Sequence, residues 1–437
     1  MTDTLFKIFN RYSWKLVKIL GNLPLAIVLL LSIAALSSLG TIIEQDKTPI
    51  FYEINYPDNK PILGILKSDI IISLGLDHIY STPWFILLLL LFGSSLASCT
   101  LSTQIPSLKL ATLWKFLKRE RATTNSGLAF TLGDLSLNEL SYLLRKDFYN
   151  VIQQGPYLYA YKGLVGKVGP ILVHASIICI LLGSLCGLFG GFVLQELVAQ
   201  QDIFHLQNII SSGPLSYVRQ DIEGYVYDFK IAYSDEGIID QFYSDLGILD
   251  DTLNLKFRKT IFVNEPLRYD GITFYQTDWG VKSLSLNIND KNSLQLSLRE
   301  VKLENNSRFW VSLLPMEKNL LLIIQDLTGK CLIYDSNRNL LGETEIGHKF
   351  FVNGQSIRIQ EILPSTGLQI KSDPGIPLVY FGFSFLILSV IFSYTSYFQL
   401  WATKKKDNLY IYANTNRAVY FYERNIGKLL DSLKLKN

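Results

Sequence analysis

Four runs of about 20 apolar residues divide this chain: Leu23–Ile43, Pro83–Thr103, Val168–Leu194 and Ile376–Trp401. Each is long enough to cross roughly 30 Å of hydrocarbon as a helix, and a bilayer offers no water to satisfy an irregular backbone. The segments therefore predict a polytopic α-helical membrane protein with four transmembrane helices. The remainder is too polar for a membrane interior. With 49% hydrophobic and 18% charged residues over 437 positions, the expected build is part membrane, part folded domain.

Charge between the spans predicts orientation, because Lys and Arg accumulate on the side from which the chain inserts. Residues 1–22 carry four basic groups against one acidic, 44–82 three against six, and 104–167 nine against four. Residues 195–374 carry seventeen against twenty-four, a net −7, and 402–437 eight against three. This alternation puts both termini inside and assigns 44–82 and 195–374 to the far side. The first 22 residues show no short apolar core with a small-residue cleavage site and no Arg-rich transit pattern, so the first helix is read as a retained anchor. The basic cluster Lys109, Lys115, Lys118, Arg119 and Arg121 reads as a topology determinant, with lipid head-group binding as the alternative.

Short alternating runs fill 195–374. Ser283–Asn289, the turn Asp290-Lys-Asn and Leu294–Leu298 make one hairpin signal, and Leu320–Gln325, Thr328-Gly-Lys and Cys331–Tyr334 another. The expectation is a large, predominantly antiparallel β domain. In the tail, Leu409-Tyr-Ile-Tyr, Asn414-Thr-Asn and Val419-Tyr-Phe-Tyr read as strand, turn, strand, followed by an amphipathic stretch. The segment 44–82, with Pro49, Pro57 and Pro61, reads as a compact loop. Gly163, Gly166 and Gly169 with Pro170 read as a flexible approach to the third helix and its tolerated start.

Within the spans, His174 alone titrates near neutral pH, and an ionisable residue in hydrocarbon is a functional-site candidate. It lies within roughly 8 Å of the inner boundary at 1.5 Å per residue. Its readings are a hydrogen bond to a neighbouring helix, a proton relay, or an axial ligand to haem, a flat apolar disc suited to a helix cleft. His78, just outside the second span, reads as an interfacial anchor with Tyr80 and Trp84 or as a metal ligand. His205 and His348 are isolated and read as structural or solvated. Cysteines 99, 179, 186 and 331 form no CxxC pair, and Cys331 alone falls in 195–374, so thiol–disulfide exchange is not expected of this chain. No nucleophile elbow, Walker loop, HExxH or dinucleotide fingerprint is present, and nothing points to nucleic acid.

The stretch Val263–Trp279 reads Asn264-x-Pro266-Leu-x-Tyr269-x-Gly271-x-x-x-Tyr275-Gln276-x-x-Trp279. Packing around a β corner accounts for most of these residues. As written, the stretch also closely resembles the signature of the ResB-type membrane protein of the System II cytochrome c biogenesis pathway. Gly40-Thr-Ile-Ile-Glu-Gln45, Leu76–Phe85, Cys99–Pro106, Val173-His-Ala-Ser176 and Asn414-Thr-Asn-Arg-Ala418 resemble family segments too, and so does the four-helix layout. Glu44 departs from the pattern, standing where Pro is expected.

This resemblance implies a non-catalytic subunit of a haem attachment complex. Such a protein works with a membrane partner bearing a Trp-rich haem-binding motif. It delivers haem b across the membrane and assists its attachment to apocytochromes c, cytochrome f and soluble c-type cytochromes among them. The resemblance carries the family's axial histidine onto His174, with His78 a weaker cofactor contact. It makes Asn264, Pro266, Tyr269, Gly271, Tyr275, Gln276 and Trp279 candidates for a partner or apocytochrome surface. Abundant Ile, Asn, Lys and Leu suit an AT-rich plastid gene, hence a thylakoid membrane with stromal termini and 195–374 in the lumen; a cyanobacterial membrane is the alternative. The rival readings are a membrane receptor or sensor, and a structural scaffold that never touches haem.

Overall fold

The computed structural model describes residues 14–57, 66–113, 116, 128–133, 136–235, 239–250, 252–290, 292–303, 308–314, 320–352, 354–406 and 408–434. Residues 1–13 and the basic cluster beyond Lys109 lie outside them. The chain forms two compact units, Met1–Ser184 with Ile376–Asn437, and Leu185–Gly375.

The first unit opens with α1 (Leu23–Ile42), followed by α2 (Pro49–Asn55), α3 (Ser68–Leu74) and a 3₁₀ turn at Leu76–Ser81. Helix α4 (Pro83–Cys99) passes through a π turn at Thr100–Gln104 into α5 (Ile105–Thr112). Then come α6 (Leu137–Lys146), α7 (Val165–Gly190), α8 (Ile376–Tyr394) and α9 (Val419–Lys434). Four helical stretches among the described residues are long and apolar enough to cross a membrane: Leu23–Ile42, Pro83–Thr112, Val165–Gly190 and Ile376–Tyr394.

Their ends differ from the expected spans for local reasons. Helix α7 stops at Gly190, and Phe192 opens a strand, so 191–194 leave the span. Helix α8 stops at Tyr394 because Tyr397 donates its N–H to Asn416 Oδ1 at 2.8 Å, and Phe398–Trp401 belong to a strand. Helix α7 begins at Val165, which makes Pro170 its sixth residue; there it denies the Gly166 carbonyl its helical donor. The three glycines before it are no flexible approach. A Cβ on Gly166 would come within 1.8 Å of the Thr395 oxygen, and one on Gly169 within 2.4 Å of Ser393 Cα. They form a smooth stripe on which the end of α8 lies backbone to backbone, as small residues permit between membrane helices.

The 44–82 segment is knitted to the entry of α4. Gln45 Nε2 donates to the carbonyls of Ile43 and Leu76, and Gln45 Oε1 accepts from the Ile79 N–H. Tyr52 donates to the Glu44 carbonyl. Ile43, Tyr52, Tyr56, Ile71, Leu76, Ile79 and Phe85 close a small core beneath. Only the Glu44 carbonyl takes part in this knot, while its side chain pairs with Lys47 at 3.9 Å, so the departure from Pro costs no contact here.

Segments from the two ends of this unit share one sheet. Its order is Leu128–Gly133, Asn408–Thr415, Phe398–Lys405, Tyr157–Lys162, Asn150–Gln154, with every pair antiparallel. Helices α6 and α9 cover one face through Leu140, Leu144, Tyr422, Ile426 and Leu430. The reading of Val419-Tyr-Phe-Tyr as a strand is thereby corrected. Tyr422, Ile426 and Leu430 recur every four residues, and burial of that stripe outweighs the β preference of Val, Tyr and Phe.

In the second unit, two long strands, Ile272–Ile288 and Gln355–Ser372, pair along most of their length and form a common spine. A four-stranded sheet of Ile203–His205, Glu223–Tyr233, Ile239–Leu249 and Leu255–Phe262 packs near one end through Val226, Leu246, Ile248, Phe274 and Ile370. A five-stranded sheet running from Arg299–Lys302 to Leu340–Glu345 packs near the other through Trp310, Leu322, Ile333, Leu284 and Ile359. Both expected hairpins form, with Ser283 opposite Ser297 and Ile324 opposite Cys331.

Candidate functional site

His174 projects from α7 onto the π turn that follows α4. The turn is marked by the Ile105 N–H reaching back five residues to the Thr100 carbonyl. Its cause is local: Pro106 has no N–H for the Ser102 carbonyl and its ring presses on it, a conflict that a widened turn relieves. The extra residue turns Thr100 and Gln104 toward the imidazole together.

The contacts assign the tautomer. Nδ1 lies 3.3 Å from the Leu96 carbonyl oxygen and 3.0 Å from Thr100 Oγ1. A carbonyl only accepts, so Nδ1 carries the proton and Nε2 the in-plane lone pair. Thr100 Oγ1 donates to the same carbonyl at 2.9 Å, which leaves its own lone pairs for the Nδ1 proton. Gln104 Nε2 stands 3.2 Å from both ring nitrogens. With the proton on Nδ1, Nε2 is the acceptor and the Gln104 amide is its donor, so a metal at Nε2 would take the place of that amide. A half-buried, neutral imidazole anchored through Nδ1, with only a side-chain amide on Nε2, has the chemistry of an axial metal ligand.

His174 is the tenth residue of α7, about 13 Å along the axis from its start. The helix begins three residues before the expected span, so His174 lies further from the helix start than the span alone implies. His78 sits elsewhere. It lies on the 3₁₀ turn before α4, half exposed, with Nδ1 2.9 Å from Asp77 Oδ1. The 17 residues of α4 separate that turn from Thr100, about 25 Å. His78 and His174 are therefore not the two ligands of one iron. His205 pairs with Glu223 at 3.5 Å, and His348 is exposed.

The signature stretch 263–279 turns out to be a folding element. Asp270 (φ 47°) and Gly271 (φ 78°) form the two-residue turn of a hairpin that pairs Tyr269 with Ile272, a turn requiring positive φ at both positions. Asn264 (φ 71°) occupies the preceding tight turn and is exposed, and the Pro266 carbonyl accepts from Lys259. Gln276 is buried, accepting from Ser244 and Thr366 hydroxyls and donating to the Asp278 carbonyl. Trp279 is buried against Trp310, ring centroids 4.7 Å apart, with the Arg308 guanidinium beside both. As surface candidates Gln276 and Trp279 are corrected: their side chains close the core where a bulge bends the spine. Tyr269 and Tyr275 are half-buried, and Asn264 and Gly271 stay accessible.

All four cysteines are free. Cys331 is fully buried, and desolvation pushes its thiol up to about 12, the setting of an inert structural cysteine. Sequence reasoning had not assigned Thr100, Gln104 or the Leu96 carbonyl to the site. The signal was present in the Cys99–Pro106 segment, but only the fold sets it against Val173-His-Ala-Ser176.

Four apolar helices long enough to cross a membrane, joined to a large antiparallel β unit, define a polytopic membrane protein. The chain belongs to the ResB-like family, whose profile matches residues 23–347. It is 52% identical over 431 residues to the cytochrome c biogenesis protein Ccs1 of Rhodomonas salina, covering 97% of this chain and 98% of the relative. It is also 42% identical to the cytochrome c biogenesis protein CcsB of Microcystis aeruginosa, covering 98% and 97%, and 42% identical to Ccs1 of Pyropia yezoensis, covering 96% and 97%.

Proposed function

We propose that this chain serves c-type cytochrome biogenesis by presenting His174 Nε2 as an axial ligand to haem b on its way across the membrane. The observation that carries this reading is an imidazole among apolar helices, held by Leu96 and Thr100 through Nδ1, with only the exchangeable Gln104 amide on Nε2. Haem supplies the iron that accepts this lone pair and the vinyl groups that later bond to cysteine thiols. The work of the chain is to hold the imidazole neutral, oriented and shielded. Because His78 is too far along α4 to complete the same axial set, the second ligand comes from the membrane partner with the Trp-rich motif.

The acceptors are apocytochromes c, cytochrome f and soluble c-type cytochromes, whose cysteine pairs must be reduced. The buried Cys331 is no source of that reductant. The relatives from algae and cyanobacteria support a plastid thylakoid membrane; the charge count supports stromal termini and residues 195–374 in the lumen, where the net −7 draws basic segments. The scaffold alternative has His174 hydrogen-bonded to the π turn and no more.

The test is an optical spectrum of the protein purified with its co-expressed partner, as wild type and as His174→Ala, with imidazole added back. Loss of Soret absorption and of cytochrome c assembly in the variant, restored by imidazole, is the expected result. Unchanged haem content and assembly would leave the scaffold.

A further inference from the structure

The Asn414–Ala418 segment has no part in the haem reading, yet it is tied to the end of a membrane helix. Asn416 Oδ1 accepts from the Tyr397 N–H, and Asn416 returns its own N–H to the Tyr397 carbonyl. Arg417 Nη1 donates to the Ser393 carbonyl at 2.8 Å, and its guanidinium lies 5.9 Å from the Tyr394 ring. The turn thus fixes where α9 begins with respect to the last residues of α8. At that level the side chains face outward: Tyr394 is 75% exposed, Tyr420 89% and Phe421 60%. Tyr422, the next residue, instead stacks on Phe398 in the sheet core.

A second element brings a large apolar side chain to the same end of the sheet. Phe148 follows α6 in the left-handed region, φ 60°, and is 84% exposed. Glycine takes that conformation at lower cost, so fold stability does not explain a phenylalanine there. Its neighbour Tyr149 lies under Lys162, and Lys162 pairs with Phe398 at the membrane-proximal start of the strand. Phe148, Tyr420 and Phe421 therefore share the level at which α8 leaves the bilayer. An amphipathic tyrosine beside arginine matches the head-group layer, and phenylalanines at the same level match the apolar side chains that reach the acyl boundary.

We infer that Asn414–Ala418 is a bracket that seats Phe148, Tyr420 and Phe421 in the lipid head-group layer, making this end of the sheet a lipid-contact surface. The test places a photoactivatable benzoylphenylalanine at Phe148, Tyr420 or Asn408 of the full chain in anionic phospholipid nanodiscs and reads adducts by mass spectrometry. Asn408 is the exposed control at the far end of the same hairpin, about 23 Å away along the strand. Phospholipid adducts several-fold above the Asn408 yield are expected at Phe148 and Tyr420. Arg417→Ala should lower the yield at Tyr420 several-fold and leave Phe148 unchanged. Lipid yields at both sites equal to that at Asn408, or cross-links only to a co-expressed partner or a second copy, would overturn the lipid assignment. An Arg417→Ala yield identical to wild type at Tyr420 would overturn the bracket.

Discussion

At the residue scale, the proposed role of His174 rests on what Nδ1 is given. Thr100 and the Leu96 carbonyl together fix the tautomer. Thr100→Val removes one acceptor while keeping the shape, and should weaken haem binding about tenfold or more, the usual size of losing a group that orients a metal ligand. A haem titration followed in the Soret band checks it; an unchanged affinity would mean that Leu96 alone suffices. Cys331 gives a prediction of opposite kind. Its folded thiol ionises only near pH 12 whereas the unfolded one does so near 9, so above 9 the unfolded state binds fewer protons than the folded. Stability then falls as pH rises, by about 1.4 kcal/mol per pH unit from this group, up to about 12. Denaturant midpoints at pH 8 and pH 10 for wild type and Cys331→Ala read the difference, and alkylation of Cys331 should await unfolding. His174 was legible in the sequence because a lone titratable group in an apolar run is conspicuous. Thr100 and Gln104 were not, since hydroxyls and amides at a helix end read as ordinary cap chemistry. Gln276 and Trp279 misled because a distinctive motif looks the same whether it faces a partner or closes a core.

At the element scale, the spans were readable from length and apolarity, and the hairpins at 283–298 and 320–334 from alternation across a polar turn. Their ends were not, because ends are fixed by distant partners. Asn416 stops α8 and Pro106 widens the turn after α4, and neither effect has an apolar signature. The glycines before His174 show how one sequence sign carries two meanings. Read locally they loosen a helix start; in the fold they let α8 approach α7. Gly169→Val places a branched side chain where a Cβ alone would sit 2.4 Å from Ser393 Cα. The expected cost is about 1–3 kcal/mol or more, seen as a lower thermal midpoint in detergent. Gly133, whose added Cβ meets nothing within 4 Å, is the matching control and should tolerate Ala within about 0.5 kcal/mol.

At the scale of the whole molecule, sidedness follows from connectivity. Strands at 128–133, 150–154 and 157–162 hydrogen-bond in one sheet with 398–405 and 408–415, so the segment before α7 and the segment after α8 occupy the same side of any membrane those helices cross. Such pairing, between residues as far apart as Phe398 and Lys162, is invisible to local periodicity, which shows strands but not their partners. It agrees with the charge count, because the two segments that share the sheet are the two carrying a net +5 each. Asn408→Cys and Thr252→Cys, at exposed positions of the two units, provide the test in sealed membrane vesicles. A membrane-impermeant maleimide added from outside should label one of these positions and spare the other, and inverted vesicles should reverse the pattern. With the positive-inside bias, Asn408→Cys is the position shielded in right-side-out vesicles. Labelling of both from one face would break the four-crossing arrangement and, with it, the proposed passage of haem from the basic side to the acidic one.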